Sequence, residues 1–451
     1  MTSLLDVVQQ GNQIHAFKCE VWNNDQFVQD ITTLIQAGGS MSCDATRAVR
    51  RTCTFTVPGE EYLPGVVGDL FHPISNNELH PFLGRQLQDG TLSWWPLGVF
   101  RMTTPAPSDD GSTLVTTING QDRSSLITEK GQYADPWVII GGTPVNFAIQ
   151  ALIDDVYPGL TYNLAPSAFI LNTLTLGADP GTQADRWADV VTLAAQDGCS
   201  IFFDANGVVT KRPVIDGTGQ PVTIEFVEGD SCTVTQAGRK LDSGSTFSGV
   251  RYVGNGPGGA PGWQNLTNYG WPLPGGVVQP TTPNGHFYTV QSFSGFGGSG
   301  LTEPIWPLTA GATVVDDVIT WVNAGLVPST APVSYTVWNT NPDASTYYLG
   351  PFGKRLKCMS TSLVPGAGQS ATFAQNQIKT MAIAELFHCC HDLDDLTVTV
   401  IPGPYNEGDC AQVTRARLKV DATYVIQAFT APFDASSLMS ITFAPRLQLD
   451  V

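Results

Sequence analysis

Residues 185–213, DRWADVVTLAAQDGCSIFFDANGVVTKRP, constrain the fold more than any other segment of this chain. Asp185 precedes a run whose apolar residues recur at helical spacing, so it can cap a helix there. That apolar face consists of Trp187, Val190, Val191 and Ala194. Gly198 can end the helix because glycine enters the left-handed conformation at little cost. The spacing therefore predicts a short helix with one buried face.

The second half of this segment predicts a two-stranded hairpin. Residues 199–203 form a short apolar run, and residues 208–212 form a second run that Pro213 closes. Between them, Asp204-Ala205-Asn206-Gly207 has the composition of a tight turn, with Asn-Gly supplying positive φ. The whole segment predicts rigid structure and contains no catalytic motif.

The balance of turn formers and charged residues favours a β-rich protein. The chain has 46 glycines and 31 prolines but only 22 lysines and arginines. This composition is typical of many short strands joined by turns. At 451 residues the chain exceeds what one hydrophobic core usually holds, so we expect three or four domains.

The charge and the cysteines limit the classes of partner and the folding compartment. A formal net charge of −18 repels phosphate and anionic lipid, which argues against direct nucleic-acid or membrane-surface binding. The first residues carry Asp6 and no long apolar run, so we expect no signal peptide, no transmembrane helix and folding in a cytosol. Nine cysteines, an odd number, then fit reduced core residues.

The predicted fold class is mainly β with α+β elements, in several domains. Residues 1–134 read as a first tube-like antiparallel β-barrel, and residues 135–215 as an α/β domain with a helix capped by Thr143. Residues 216–256 and 334–451 form a second barrel with a helix near 370–390. Residues 257–333, rich in Gly, Pro and Trp, interrupt it as an inserted small β module.

The motifs that could carry catalysis all favour structural interpretations. Residues 295–300 match G-x-G-x-x-G, but Pro304 follows where a nucleotide-binding helix would begin, so a flexible turn is favoured. His388-Cys389-Cys390-His391 resembles a metal site but lacks a second ligand pair, which favours a helix end. No nucleophile elbow or zinc-protease motif is present in the sequence. We therefore predict no catalytic, cofactor-binding or metal-ligating residues.

Adjacent aspartates recur at four places in the chain. A retaining or inverting glycosidase needs two carboxyl groups that face each other across a substrate, and neighbours on a strand point to opposite faces. We therefore interpret these pairs as solvated surface. They are Asp109-Asp110, Asp154-Asp155, Asp316-Asp317 and Asp394-Asp395.

The insertion is the best candidate for a binding surface because it concentrates aromatic residues. Exposed aromatic rings can stack on sugars or anchor protein contacts. The predicted binding face consists of Trp271, Tyr288, Trp306 and Trp321. The alternative is that these rings form the core of a small module, which is the favoured interpretation for Trp306 and Trp321.

Four stretches carry a resemblance to a known family. They are residues 96–100 (PLGVF) with 119–123 (NGQDR), residues 187–212, residues 350–353 (GPFG) with the helix after them, and residues 402–409 (PGPYNEGD). In order and spacing they resemble the baseplate hub, or minor tail protein, of long-tailed bacteriophages, whose fold is related to the T-even phage central hub. Residues 285–323 are also similar to a small β module found in phage tail and fibre proteins.

The resemblance implies a structural virion protein at the tail tip of a siphophage, assembled in the host cytoplasm. It implies a homotrimer, whose two barrels per chain give six similar units against a six-fold tail tube. Its implied partners are the tail tube protein, the distal tail ring, the tape measure protein and tail fibre or spike proteins, with a host surface glycan as a further ligand. DNA would pass through an acidic channel without specific binding.

Two other function classes remain open on the sequence. The first is a tail-associated hydrolase of the cell envelope. Larger relatives of the hub family carry such domains as C-terminal extensions, and because the chain stops at Val451 we expect none here. The second is a carbohydrate-binding adhesion module formed by the insertion.

Overall fold

The computed structural model describes most of the chain outside the insertion. The described residues are 15–36, 38–86, 89–133, 135–171, 173–177, 185–214, 221–227, 234–241, 247–254, 312–315, 318–321, 333–340, 346–361, 364–365, 371–390, 394–434 and 437–445.

Strands greatly outnumber helices among these residues. The helices are α1 (Ser124–Lys130), α2 (Val145–Asp154), α3 (Arg186–Gln196) and α4 (Ala371–Cys390), with short 3-10 turns at Thr32–Leu34, Glu60–Tyr62 and Ala416–Leu418. The strands before α3 are β1 (His15–Asn23), β2 (Gln26–Asp30), β3 (Ser40–Asp44), β4 (Arg51–Pro58), β5 (Asn77–Gln86), β6 (Leu92–Pro96), β7 (Phe100–Met102), β8 (Ala106–Asp109), β9 (Leu114–Asp122), β10 (Trp137–Ile139), β11 (Tyr162–Leu164), β12 (Phe169–Ile170) and β13 (Leu174–Leu176). Those after it are β14 (Cys199–Phe203), β15 (Val209–Pro213), β16 (Ile224–Phe226), β17 (Val234–Leu241), β18 (Gly249–Gly254), β19 (Ala312–Val315), β20 (Val318–Trp321), β21 (Val333–Trp338), β22 (Leu356–Ser360), β23 (Val364–Pro365), β24 (Asp394–Val400), β25 (Cys410–Arg415), β26 (Val420–Pro432) and β27 (Met439–Pro445). The predicted mainly-β fold class is confirmed.

One continuous sheet joins the two ends of the chain. Its fifteen strands run in the order β17-β24-β27-β26-β3-β4-β9-β7-β5-β1-β2, with β6, β8, β16 and β25 paired beside this path. The N-terminal and C-terminal strands meet where β3 pairs antiparallel with β26, so that Cys43 lies opposite Phe429. The two predicted β regions are therefore hydrogen-bonded to each other and not merely adjacent.

The core under this sheet draws on both ends of the chain. The strands alternate buried and less buried residues, as the sequence pattern predicts, and a single apolar cluster extends from Cys19 to Phe443. Aromatic contacts cross between the regions: the Phe433 ring stacks on Phe17 at 4.6 Å and lies 6.1 Å from Phe55. Burial of this shared apolar surface ties the two β regions together.

A second core lies in the middle of the chain. Helices α2 and α3 pack beside a three-stranded sheet of order β11-β15-β14, and Trp187, Ile149 and Ile201 share one apolar cluster. Strands β18, β21 and β22 form another sheet that packs with α4, and Val250 and Ile378 belong to this same middle cluster. The strands and the helix of this last sheet come from segments predicted for the second barrel, but they pack in the middle core. The predicted domain division therefore stays a prediction.

Residues 185–213 form the predicted elements. The Asp185 carboxylate accepts hydrogen bonds from the Trp187 and Ala188 amides at 2.9 and 3.2 Å, which caps α3. Gly198 and Gly207 adopt φ of 69° and 74°, as a helix stop and a tight turn require.

The predicted cap of α2 is wrong. Pro144 precedes the first helical residue, and the Thr143 hydroxyl donates to the Ile140 carbonyl instead of accepting from the helix. Proline's fixed φ before the first turn suits a helix start without a side-chain cap.

Two further features bear on the sequence predictions. Of the cysteines whose side chains are described, Cys358 is exposed, and the five buried free thiols are Cys19, Cys43, Cys53, Cys199 and Cys410. None of the helices in the described ranges combines the length and apolar character needed to cross a membrane.

Candidate functional site

The aromatic residues predicted to bind a ligand lie almost entirely outside the described part of the chain. Trp271, Tyr288 and Trp306 fall outside it, and Trp321 is described only as the last backbone position of β20. The G-x-G-x-x-G run at 295–300 also falls outside, as do the side chains of residues 388–391. The binding face therefore stays a prediction.

The pair Asp154-Asp155 is solvated surface only in part, because Asp155 is exposed but Asp154 is half-buried. Asp154 accepts a hydrogen bond from the Tyr162 hydroxyl, and Asp155 forms an ion pair with the guanidinium of Arg186. Arg186 is buried and lies over the Tyr133 ring at 4.5 Å. Helix–strand packing brings these partners together, so the pair is part of the middle unit's framework.

The described residues place a set of charges, four of them buried and Arg212 half-buried, where the three parts of the chain meet. We name it the junction cluster; its members are Arg50, Arg51, Asp122, Arg212 and Glu407. They come from β4 and the residue before it, from the end of β9, from β15 and from the loop before β25. Three of the four stretches that resemble phage hubs contribute to it.

The Arg51–Glu407 ion pair is the centre of the cluster. Arg51 Nη2 lies 2.7 Å from Glu407 Oε2, and the two side chains are only 2% and 3% exposed. Arg51 Nη1 also donates to the Leu97 carbonyl at 2.9 Å, and the Arg51 amide donates to Asp122 Oδ2 at 2.9 Å. Arg51 thus connects three chain segments, and removal of any one charge would leave another buried without its partner.

Two more arginines complete the cluster around one aromatic ring. The guanidinium carbons of Arg50 and Arg212 lie 4.1 and 4.7 Å from the ring centroid of Phe202, which is within the range of cation–π attraction. Arg212 Nη2 donates to the Glu407 carbonyl at 2.9 Å. The hairpin of residues 199–213 is thereby attached to the C-terminal β region.

Burial and neighbouring charges shift the pKa values in this cluster in opposite directions. Burial raises the pKa of Glu407, but the charges of Arg51 and Arg212 outweigh it and leave the pKa below its usual range. Burial lowers the pKa of Arg50 to about 10 although Glu407 opposes the change. Burial raises the pKa of Asp122 against hydrogen bonds from Ser124. The cluster therefore holds its ion pair charged at neutral pH.

A second buried pair links the first β region to the middle unit. Arg123 Nη2 and Nε donate to the two carboxylate oxygens of Glu78 at 2.6 and 3.0 Å, a bidentate geometry. Arg123 Nη1 donates to the Gly207 carbonyl at 3.2 Å, and the Tyr157 hydroxyl donates to Glu78 at 3.1 Å. Arg123, just before α1, thus connects the tight turn at Gly207 to Glu78 of β5.

The buried face of α3 also reaches the first β region. Trp187 is fully buried, its ring lies 5.5 Å from that of Phe203, and its Nε1 donates to the Ala48 carbonyl at 2.9 Å. The same side chain therefore belongs to the middle core and fixes the position of the loop before β4.

The sequence contained one signal for the junction cluster. Arg51 occupies the first position of the alternating row Arg51-Cys53-Phe55-Val57, whose other members all point into the core. An arginine in a buried position requires a carboxylate partner. The identity of that partner, Glu407, could not be inferred because 356 residues separate the two.

The groups of the junction cluster are arranged to hold the structure together. Its carboxylates are already occupied by arginines and backbone amides. The neighbouring Cys43 thiol, which donates to Glu407, has a pKa that burial raises well above the usual value. Within the described ranges, no group of three or more His, Cys, Asp or Glu side chains is arranged to hold a metal ion. The arrangement can hold three chain regions in a fixed relation.

We expect the Glu78 pair to make stability depend on acid pH. Burial raises the pKa of Glu78, but His80 and Arg123 lower it to about 2 from an ordinary 4.5; at 3.9 Å His80 is beyond hydrogen-bond reach, so Arg123 is the effective partner. Because the folded pKa is lower, the stabilisation is present above about pH 4.5 and is lost as the pH falls towards 2.

Urea unfolding between pH 6 and pH 2 measures this contribution. The free energy of unfolding of the wild type should fall by about 3 kcal/mol more than that of Glu78→Gln over this range. Parallel pH profiles for the two proteins would contradict the assignment. A matched control is Glu129→Gln, in which a carboxylate without a described ion pair is removed and the wild-type profile should persist.

Comparisons with known proteins give the same fold and no sequence relative. No protein-family model matches the sequence, and no match is found among curated proteins. The crystal structure of the tail protein from Neisseria meningitidis MC58 is similar to this chain with a TM-score of 0.54 and 9% identity, covering 95% of this chain and 96% of that one. The 43 kDa tail protein of prophage MuSo2 from Shewanella oneidensis is similar with a TM-score of 0.51 and 9% identity, covering 95% and 98%.

These similarities extend over both β regions and the middle unit. At 9% identity they concern the fold and not the activity. The resemblance to phage tail proteins is thus confirmed at the level of the fold, which the chain shares with these two tail proteins over nearly its whole length.

Proposed function

We propose that the chain is a structural, non-enzymatic virion protein, the trimeric baseplate hub at a phage tail tip. In this role it caps the tail tube, connects it to the distal tail ring and host-recognition proteins, and opens for DNA ejection. The observation that carries the proposal is the tail-protein fold, which covers 95% of the chain and nearly all of the two tail proteins compared. The proposed neighbours are the tail tube, tape measure and tail fibre or spike proteins.

The buried framework supports a load-carrying role. The junction cluster and the Arg123–Glu78 pair connect both β regions and the middle unit through charge-assisted hydrogen bonds. Buried ionic contacts specify one arrangement of the parts more than they add stability. A ring that must stay closed before infection needs such a fixed arrangement.

The charge supports passage of DNA without binding. A net charge of −18 per chain gives no counterion release on contact with phosphates, so DNA would not be held in a channel built from three copies. The domain division that belongs to this proposal is two barrels, a middle α/β unit and an inserted module at 257–333.

The mass of the purified protein tests the proposal. Sedimentation equilibrium should give three times the 48.2 kDa of one chain. A mass that stays at one chain up to high micromolar concentration would contradict the trimer. Release of soluble fragments from peptidoglycan or host polysaccharide would contradict the non-enzymatic role.

An exposed apolar loop is a candidate subunit contact. Val66 and Val67 are 66% and 67% exposed, and Asp69 Oδ2 holds their loop in shape by accepting from the Gly65 and Val66 amides at 2.7 Å each. An ordered loop that presents apolar side chains to solvent is typical of a protein contact.

We expect Val66→Asp combined with Val67→Asp to weaken self-association at least tenfold while leaving the circular dichroism spectrum unchanged, because charge would be buried at the contact. Sedimentation velocity over a concentration series measures this. The control is Val222→Asp, another exposed valine in a different part of the chain. If all variants associate as strongly as the wild type, the loop is not part of the subunit contact.

A further inference from the structure

Several buried hydrogen-bond donors near one end of β5 have no acceptor among the described residues. Arg85 is 2% exposed, and none of the described residues accepts a hydrogen bond from its Nε or Nη1. It continues the inward row Leu79-Pro81-Leu83 of β5, so its guanidinium points towards the core side of the sheet. A guanidinium in this position needs an anionic partner, because its charge has lost water without gaining an ion pair.

The neighbours of Arg85 are also donors. His15 lies opposite it in the β1–β5 register, and Trp95 lies opposite Leu83, one step along the same face. Trp95 Nε1, the Tyr405 hydroxyl and His15 Nδ1 are all buried, and within the described residues none has a hydrogen-bond partner. Tryptophan can only donate, and tyrosine and one imidazole tautomer can donate as well.

The electrostatics identify the charge of the missing partner. Burial lowers the pKa of His15, and the positive charge of Arg85 lowers it further. Burial also lowers the pKa of Arg85, and among the described groups Tyr405 is the one that opposes this change. Among the described residues, no carboxylate forms an ion pair with Arg85. The site is therefore positive and rich in donors.

We propose that Arg85, with Tyr405, Trp95 and His15, forms a binding site for a carboxylate. The planar fork of arginine matches the two oxygens of a carboxylate, and the phenol and indole are further buried donors that lack a partner among the described residues. Two sources offer this chemistry: a small free carboxylate, or an Asp or Glu side chain from a second copy of the chain.

The first arm of the test uses acetate as the probe and does not require the chain to assemble. Thermal unfolding of the full chain is followed in sodium acetate and in sodium chloride at equal ionic strength and pH. We expect acetate to raise Tm by about 1–2 °C at tenfold excess over its Kd. Arg85→Met and Tyr405→Phe should abolish or reduce this rise, whereas Arg417→Met, at an exposed arginine, should retain it.

The second arm separates the two sources by measuring self-association. If a second copy supplies the carboxylate, Arg85→Met should weaken association at least tenfold, and acetate should weaken it in the wild type. If the ligand is a free carboxylate, Arg85→Met should leave self-association unchanged and should lose only the rise of Tm in acetate. Should Arg85→Met fail to fold, Arg85→Lys keeps the charge without the fork, and Tyr405→Phe removes one donor.

The proposal is overturned if neither the acetate effect nor association depends on Arg85 and Tyr405. It is also overturned if acetate raises Tm equally in the wild type and in Arg85→Met. Failure of the trimer alone would leave the acetate arm intact, so the carboxylate site and the proposed hub role are tested separately.

Discussion

Replacing Glu407 with glutamine is expected to lower the free energy of unfolding by about 3–5 kcal/mol. The change keeps the shape of the side chain but leaves Arg51, 2% exposed, without its carboxylate. The buried Arg50 and the half-buried Arg212 lie close by, so these positive charges would keep Asp122 and Asp409 as neighbours but lose the carboxylate that they share. Urea unfolding at pH 7, followed by fluorescence and circular dichroism, measures the loss.

A double-mutant cycle shows whether the pair itself is responsible. Arg51→Met removes the other charge. The double variant Arg51→Met with Glu407→Gln should lose clearly less free energy of unfolding than the two single variants lose in sum. The matched control is Glu225→Gln. Glu225 is exposed on β16, so this variant should change the free energy of unfolding by no more than about 0.5 kcal/mol. A loss under about 1 kcal/mol for Glu407→Gln would mean that the cluster does not hold the regions together.

Replacing Trp187 with alanine should cost about 3–5 kcal/mol. The indole is fully buried in the middle core, packs against Phe203 and donates to the Ala48 carbonyl, so the change opens a cavity and removes a contact with the first β region. Urea unfolding again measures the loss.

Trp187→Phe is the matched control for the hydrogen bond. It keeps most of the ring volume and leaves the Ala48 carbonyl without its donor, so a loss of about 1–3 kcal/mol is expected. Equal losses for alanine and phenylalanine would mean that the hydrogen bond, and not the packed ring, carries the effect. No loss in either variant would contradict the role of Trp187 at the junction.

Local patterns of the sequence predicted the elements that depend only on neighbouring residues. Asp185 caps α3 and Gly198 ends it, because a side-chain oxygen and a missing Cβ act within a few residues of the backbone they affect. The helix predicted near 370–390 spans Ala371–Cys390. The cap at Thr143 failed because its hydroxyl found a competing carbonyl three residues earlier.

The candidate site could not be predicted because its contacts are long-range. The sequence directed attention to Trp306 and the other aromatic residues of the insertion, since clustered rings are a local compositional signal. The buried charges of the junction cluster have no such signal except the inward position of Arg51 in its strand. Three of the stretches that resemble phage hubs meet there.

By itself, the sequence determined the mainly-β class, the hairpin and helix of residues 185–213, and the net charge of −18. The tertiary structure decided that β3 pairs with β26 to make one sheet from both ends of the chain, and that Arg51 reaches Glu407. The physical reason is range: turns, caps and alternation act over a few residues. Strand pairing and buried ion pairs depend on which distant segments lose water together when the cores close.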